Sequence, residues 1–180
     1  MASEVKVIDN FLSYPRYQQL KEVMTSSDFP WYFTPYVAST TPEQNNEDAY
    51  QFVHPLWMNK MGFYNPNTDK IADILTKINP QVLLKCKANL QPKSHNVRPH
   101  EWHTDFTPPL PDWTTAIYYI NDNNGYTEFK DGDIINSVAN RIVFFNGLNE
   151  HRGTTCTDTK ARIVINFNFI GGEHAIKTSN

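Results

Sequence analysis

Val82-Leu83-Leu84-Lys85-Cys86-Lys87-Ala88-Asn89-Leu90-Gln91 is the stretch where the chain changes its period. Val82, Leu84, Cys86, Ala88 and Leu90 alternate with Leu83, Lys85, Lys87, Asn89 and Gln91, so an extended segment here has one apolar face and one mostly polar face. Five further strands are predicted in quick succession: Thr114 to Asn121, Gly125 to Phe129, Asp133 to Val138, Arg141 to Phe145 and Arg162 to Ile170. The runs DNNG, KDG, NGLN and CTDTK between them are turn formers and leave no room for crossover helices. Such spacing predicts a mainly β protein, an antiparallel sandwich or barrel with a jelly roll as the expected core over residues 82–170.

Upstream the period is helical. Tyr17, Leu20, Val23 and Met24 share a stripe over Tyr14 to Met24, with Pro15 early enough to be tolerated. Ile71, Ile74, Leu75 and Ile78 do the same over Thr68 to Asn79, which stops before Pro80. Between them, Phe29 to Asn67 is rich in Pro, Asn and aromatic residues and is expected to be an irregular covering layer. At 180 residues and 39% hydrophobic content, one domain is expected, with 1–81 a helical and irregular cover, 82–170 the core and 171–180 a tail.

A formal net charge of -3 with no Lys/Arg block gives no footprint for a phosphate backbone, so nucleic acid is not an expected partner. No window is apolar for long enough to span a membrane, and the start MASEVKVIDNFL has no signal-peptide pattern. Cys86 and Cys156 stand far apart, outside any C-x-x-C. Free thiols and a cytoplasmic location are the expectation.

His103 and Asp105 are two apart, so on an extended segment they point the same way. With a second imidazole they would make the 2-His-1-carboxylate set that binds iron(II) on one face and leaves positions open. His151, in FFNGLNEHRGT, is expected to supply it from a turn beyond the strand Arg141 to Phe145. Arg162 opens ARIVINFNF, and a buried guanidinium there calls for an anion, a dicarboxylate matching its planar fork. The plainer alternatives are a solvated turn pair at His103 and Asp105, a surface histidine at 151, and an ion pair of Arg162 with Asp158 or Glu150. Asn166 and Asn168 alternate in step with Arg162 and share its face. PHEWHTD contains His100 and Glu101, but two His three apart do not make the H-E-x-x-H of a zinc protease. His54, His95 and His174 are read as surface residues.

The ordered set H-x-D, distal His, then Arg at the head of the last strand resembles the prolyl-4-hydroxylase-like branch of the 2-oxoglutarate and iron(II) oxygenases, which have a double-stranded β-helix (jelly-roll) core. Framework phrases resemble it too: TTAIYYIN its second core strand, NNGYTEF the glycine-bearing turn into the third, and NRIVFF the strand before the distal His. The resemblance implies Fe(II) held by His103, Asp105 and His151, 2-oxoglutarate held by Arg162 with help from Tyr119, and O2 as oxidant. Tyr119 could equally be plain core. Where that branch often has Tyr before the proline ending the first core strand, this chain has Gln91 before Pro92, so Gln91 or Asn89 is expected to complete the cosubstrate pocket. Collagen-type relatives carry Lys at the Arg162 position, and nucleic-acid demethylases carry a second Arg where this chain has Asn168.

The implied activity is hydroxylation of an unactivated C–H, first of a peptidyl proline or other peptide side chain, with decarboxylation of 2-oxoglutarate to succinate. A free amino acid or small metabolite is the alternative substrate, and a non-catalytic jelly-roll binding module or a zinc hydrolase the alternative class. The stiff segment Phe106 to Trp113, with three prolines, is expected to form one substrate wall, tipped by Phe106 and Trp113. Asn166 and Asn168 are expected opposite it, with the aromatics around Trp31 to Tyr36 as a lid.

Overall fold

Alternation in the strands sorts the chain into two antiparallel sheets and two apolar layers. The computed structural model describes residues 4–37, 50–58, 68–106 and 112–176. In chain order these form β1 (Val5–Ile8), α1 (Tyr14–Thr25), β2 (Tyr32–Thr34), β3 (Gln51–Met58), a 3-10 turn (Thr68–Ile71) leading into α2 (Ala72–Ile78), and β4 (Val82–Pro92). β5 (Thr114–Tyr119), β6 (Tyr126–Phe129), β7 (Ile134–Asn136), β8 (Ile142–Asn146), β9 (His151–Gly153) and β10 (Ala161–Ile170) follow. A seven-stranded sheet runs β1-β8-β5-β10-β4-β3-β2, facing a smaller sheet β7-β6-β9. This is the expected jelly roll, with the smaller sheet over part of the larger.

Each long strand has two buried faces of different character. Ala116, Tyr118, Ile142, Phe144, Ile163, Ile165, Phe167 and Phe169 pack with Leu20 and Met24 of α1 and Ile74 and Ile78 of α2. Their neighbours Ile117, Tyr119, Val143, Phe145 and Val164 turn inward and meet Phe129 of the smaller sheet. The helices therefore bury one face of the large sheet, and between the sheets this smaller apolar cluster shares the space with polar side chains.

β4 follows the expected alternation as far as a bulge. Asn168 faces Lys85 but Phe169 faces Leu83, so Leu84 is the extra residue. Beyond it the parity flips, and Leu83 joins the helix-side core in place of Leu84. The covering segment is more regular than expected. β2 and β3 extend the large sheet beyond β4, while β1 pairs with β8 at the opposite edge. His54 on β3 is buried, with Nδ1 2.7 Å from Pro30 O, so the surface reading of that residue is wrong. Residues 38–49, 59–67 and 177–180 of the expected cover and tail, and 107–111 of the expected substrate wall, lie outside the described residues.

Asn140 ties the N-terminal segment to this framework. Its φ of 61° is one that Asn tolerates better than most residues. Its Oδ1 accepts from Leu12 N at 2.9 Å and Tyr118 Oη at 2.8 Å, while Nδ2 donates to Leu12 O at 2.9 Å. Asn140→Ala should cost about 2–4 kcal/mol, because it leaves buried partners unpaired and strains the backbone. Asn140→Gly should recover only the backbone share. Denaturant midpoints of the two variants measure both parts, and a wild-type midpoint for the Ala variant would contradict this account.

Candidate metal and dicarboxylate site

The stretch between β4 and β5 returns along the edge of the smaller sheet. Pro99 bridges to Thr154 and His103 to His151, making residues 99–103 a broken fourth strand beside β9. His103 N donates to His151 O at 3.1 Å and His151 N to His103 O at 3.0 Å, so the two imidazoles stand side by side with ring centroids 4.7 Å apart. His151 opens β9 rather than sitting in a turn, and it is this strand pairing that brings it to His103.

His103, Asp105 and His151 each offer a ligand atom, and the three atoms lie within 4.8 Å of one another. Each imidazole is oriented by its other nitrogen. His103 Nδ1 is 3.0 Å from Glu101 O and His151 Nδ1 is 3.1 Å from Asn149 O. A carbonyl can only accept, so each Nδ1 carries the proton and each Nε2 keeps its lone pair.

Asp105 is fixed from three sides. Asn166 Nδ2 donates to Oδ1 at 3.0 Å, and Asn168 Nδ2 and Thr115 Oγ1 donate to Oδ2 at 2.8 and 3.1 Å. Lys85 Nζ stands 4.0 Å from Oδ1. Burial alone would raise this carboxyl's pKa, but its electrostatic interactions with His151, Lys85 and His103 and the Asn168 hydrogen bond hold it well below the usual carboxylate range. Asn166 and Asn168 thus both hold Asp105 through their Nδ2 groups. Asn166 also lines the cavity.

Arg162 sits at the other end of that cavity and is only 4% exposed. Nε donates to Ser137 Oγ at 2.9 Å, Nη2 donates to Thr127 Oγ1 at 3.0 Å, and the Tyr119 ring lies 5.6 Å from Cζ. Tyr119 Oη donates to the same Thr127 oxygen at 2.8 Å, so it supports the arginine through Thr127. Burial lowers the guanidinium's pKa, and among the described residues no Asp or Glu pairs with it. The expected alternatives are occupied elsewhere: Asp158 accepts from Asn124 N and Glu150 pairs with Lys130. An unpaired buried cation of this kind fits an anionic ligand. The backbone leaves space for one, since a Cβ on Gly153 would stand 3.3 Å from Arg162 Nη1.

The wall joining the two ends is the polar face of β4, with Lys87, Asn89 and Gln91 lining the cavity. Gln91 Nε2 donates to Gln51 Oε1 at 3.1 Å, while Gln91 Oε1 and Asn89 Oδ1 are buried without a partner among the described residues. Burial, with Lys85 nearby, pulls the Lys87 ammonium down to about 8. Trp113 departs from expectation: it is 0% exposed, packed edge-on to Phe106 and lying over Gly147, where a Cβ would collide with its indole. It cannot tip a substrate wall. Phe106 is partly buried beneath Lys85 Nζ. Several residues of the cavity escaped the sequence reading, Thr127 and His100 among them. Thr127 lay inside a framework phrase with no signal of its own, and His100 was weighed only against a protease motif.

The fold is that of the 2-oxoglutarate- and iron(II)-dependent oxygenases. A prolyl-4-hydroxylase from Pseudomonas putida superposes with a TM-score of 0.59 over 94% of either chain at 13% identity. A prolyl hydroxylase from Trichoplax adhaerens, solved with a hypoxia inducible factor oxygen degradation domain peptide fragment, gives 0.64 over 93% of this chain and 84% of its own at 14% identity. The epimerase SnoN, in complex with Fe3+, alpha ketoglutarate and nogalamycin RO, gives 0.61 over 93% and 79% at 10% identity. No family model matches the sequence. No curated protein matches it either. The likeness is one of fold.

The buried imidazoles set a pH dependence. Burial pulls His151 down to about 4 and His100 to about 3, against an ordinary 6.5. Between pH 6.5 and 5 the unfolded chain takes up a proton on each that the folded chain refuses. Stability must therefore fall as the pH drops, by about 2 kcal/mol per histidine across that window. Urea unfolding of metal-free protein at pH 7 and pH 5 measures the difference, and equal midpoints would contradict the two depressed pKa values.

Proposed function

We propose that this chain is an iron(II)- and 2-oxoglutarate-dependent oxygenase that hydroxylates an unactivated C–H. The observation that carries the reading is one cavity with three convergent ligand side chains at one end and an unpaired buried Arg162 at the other. His103, Asp105 and His151 would hold the metal through Nε2, a carboxylate oxygen and Nε2, on one face. Arg162 would take the far carboxylate of the cosubstrate, backed by Thr127, Ser137 and Tyr119. Bound iron and 2-oxoglutarate supply the oxidising chemistry, with O2 as oxidant and succinate and CO2 as products. The protein's part is to fix the Asp105 carboxylate through Asn166, Asn168 and Thr115, keep both imidazoles in one tautomer, and shield the site between two sheets.

A peptidyl proline or other peptide side chain is the first substrate class, supported by the fold likeness to prolyl hydroxylases. A free amino acid or other small polar metabolite is the second. It is favoured by the burial of Trp113, which removes one of the two aromatics expected on a peptide wall. No described helix is long and apolar enough to cross a membrane.

Succinate formation and oxygen uptake, each requiring both Fe(II) and 2-oxoglutarate, test the class. Asp105→Ala and His151→Ala should abolish turnover. Arg162→Ala should raise the 2-oxoglutarate requirement by on the order of 2–5 kcal/mol, the cost of truncating one partner of a buried charge pair, while iron binding stays close to wild type. Unchanged 2-oxoglutarate affinity in that variant would place the distal carboxylate elsewhere. Stimulation of succinate formation by proline-containing peptides rather than free amino acids separates the two substrate classes.

A further inference from the structure

His100 stands opposite Gly153 on the broken edge strand, its N donating to Gly153 O at 2.9 Å. Because residue 153 has no side chain, two groups share the space above it. A Cβ at that position would lie 3.3 Å from Arg162 Nη1 and 3.9 Å from His100 Cδ2, the ring carbon bonded to Nε2. His100 Nε2 is buried with no hydrogen-bond partner among the described residues. Arg162 has committed Nε to Ser137 and Nη2 to Thr127, leaving Nη1 on the Gly153 side. Both groups line the same cavity.

A buried polar nitrogen without a partner costs stability unless a ligand satisfies it. Here the unsatisfied nitrogen and the uncommitted guanidinium edge meet over one bare stretch of backbone. We propose that His100 Nε2 and Arg162 Nη1 together grip the far carboxylate of a 2-oxo dicarboxylic acid, one N–H to each oxygen, so that His100 completes the pocket left open by Gln91. The inference rests on the oxygenase reading above and assigns His100 a role within it. Burial next to Arg162 keeps the imidazole neutral in the working pH range, where it offers one N–H without adding a second positive charge.

Titration calorimetry on protein loaded with Mn(II), a redox-silent stand-in for iron, tests it without turnover. The probes are 2-oxoglutarate and 2-oxobutyrate, which share the 2-oxo acid end and differ in the far carboxylate. His100→Phe should weaken 2-oxoglutarate roughly tenfold or more, as expected for losing a hydrogen bond to a charged group. It should leave 2-oxobutyrate within about twofold of wild type, while His100→Gln, which keeps a donor, should recover part of the loss. If the Phe variant does not fold, His100→Ala carries the same comparison. Equal binding of 2-oxoglutarate to wild type and variant overturns the proposal, as does equal weakening of both probes, which would assign His100 to the metal end. Failure of the wild-type Mn(II) protein to bind 2-oxoglutarate at all would bring down the oxygenase reading itself.

Discussion

Strand β10 imposes the constraint on which the rest depends. It is paired on both edges, with β4 on one side and β5 on the other, so it cannot slide against either neighbour alone. Its odd residues Ile163, Ile165, Phe167 and Phe169 fill the helix-side core, while Arg162, Asn166 and Asn168 point between the sheets. A one-residue slip would thrust a guanidinium and two amides into packed hydrocarbon and leave the inner cavity lined with Ile and Phe. Register and site are therefore the same specification: the aliphatic set locks the strand, and the polar set is carried into place by it.

Inside the sandwich the polar groups answer one another as a network. Asn168 donates to Asp105 and also to Thr115 Oγ1 at 3.0 Å, and Thr115 in turn donates to Asp105. Thr127 receives from both Tyr119 and Arg162. Each end of the cavity is thus held by side chains from different strands, which resists reorientation more than any single contact does. Four of the buried atoms left without a partner among the described residues, Asn89 Oδ1, Gln91 Oε1, Asn166 Oδ1 and His100 Nε2, belong to residues that line the cavity.

Much of this was legible in the sequence because it lives in local period and order. The alternation in β4, the close succession of strands and the order His103, Asp105, His151, Arg162 are one-dimensional signals, and the tertiary structure preserved them. What escaped depends on pairing. β1 and β2 are four and three residues long, too short to show a period, and exist because an edge of the large sheet accepts them. The Leu84 bulge is invisible until β10 supplies its register. Asn166 and Asn168 were placed on the correct face, but their hold on Asp105 was not foreseen, because nothing local shows that Asp105 arrives beneath them. His100 gains meaning only opposite Gly153 and beside Arg162, across strands far apart in sequence. Trp113 looked like a loop aromatic, and Gly147 makes it a buried one.

β9 also serves as a ruler. His151 and Gly153 lie two residues apart on one face of the strand, a step of roughly 7 Å fixed by backbone rise rather than by any rotamer. The candidate ligand atoms of His103, Asp105 and His151 gather at the first mark, and the guanidinium edge of Arg162 hangs over the second. A ligand spanning both marks is gauged by covalent geometry that side-chain substitution cannot stretch. In the proposed oxygenase, selection for the length of the dicarboxylate is then a property of the sheet itself, and altering it calls for an insertion or deletion in β9.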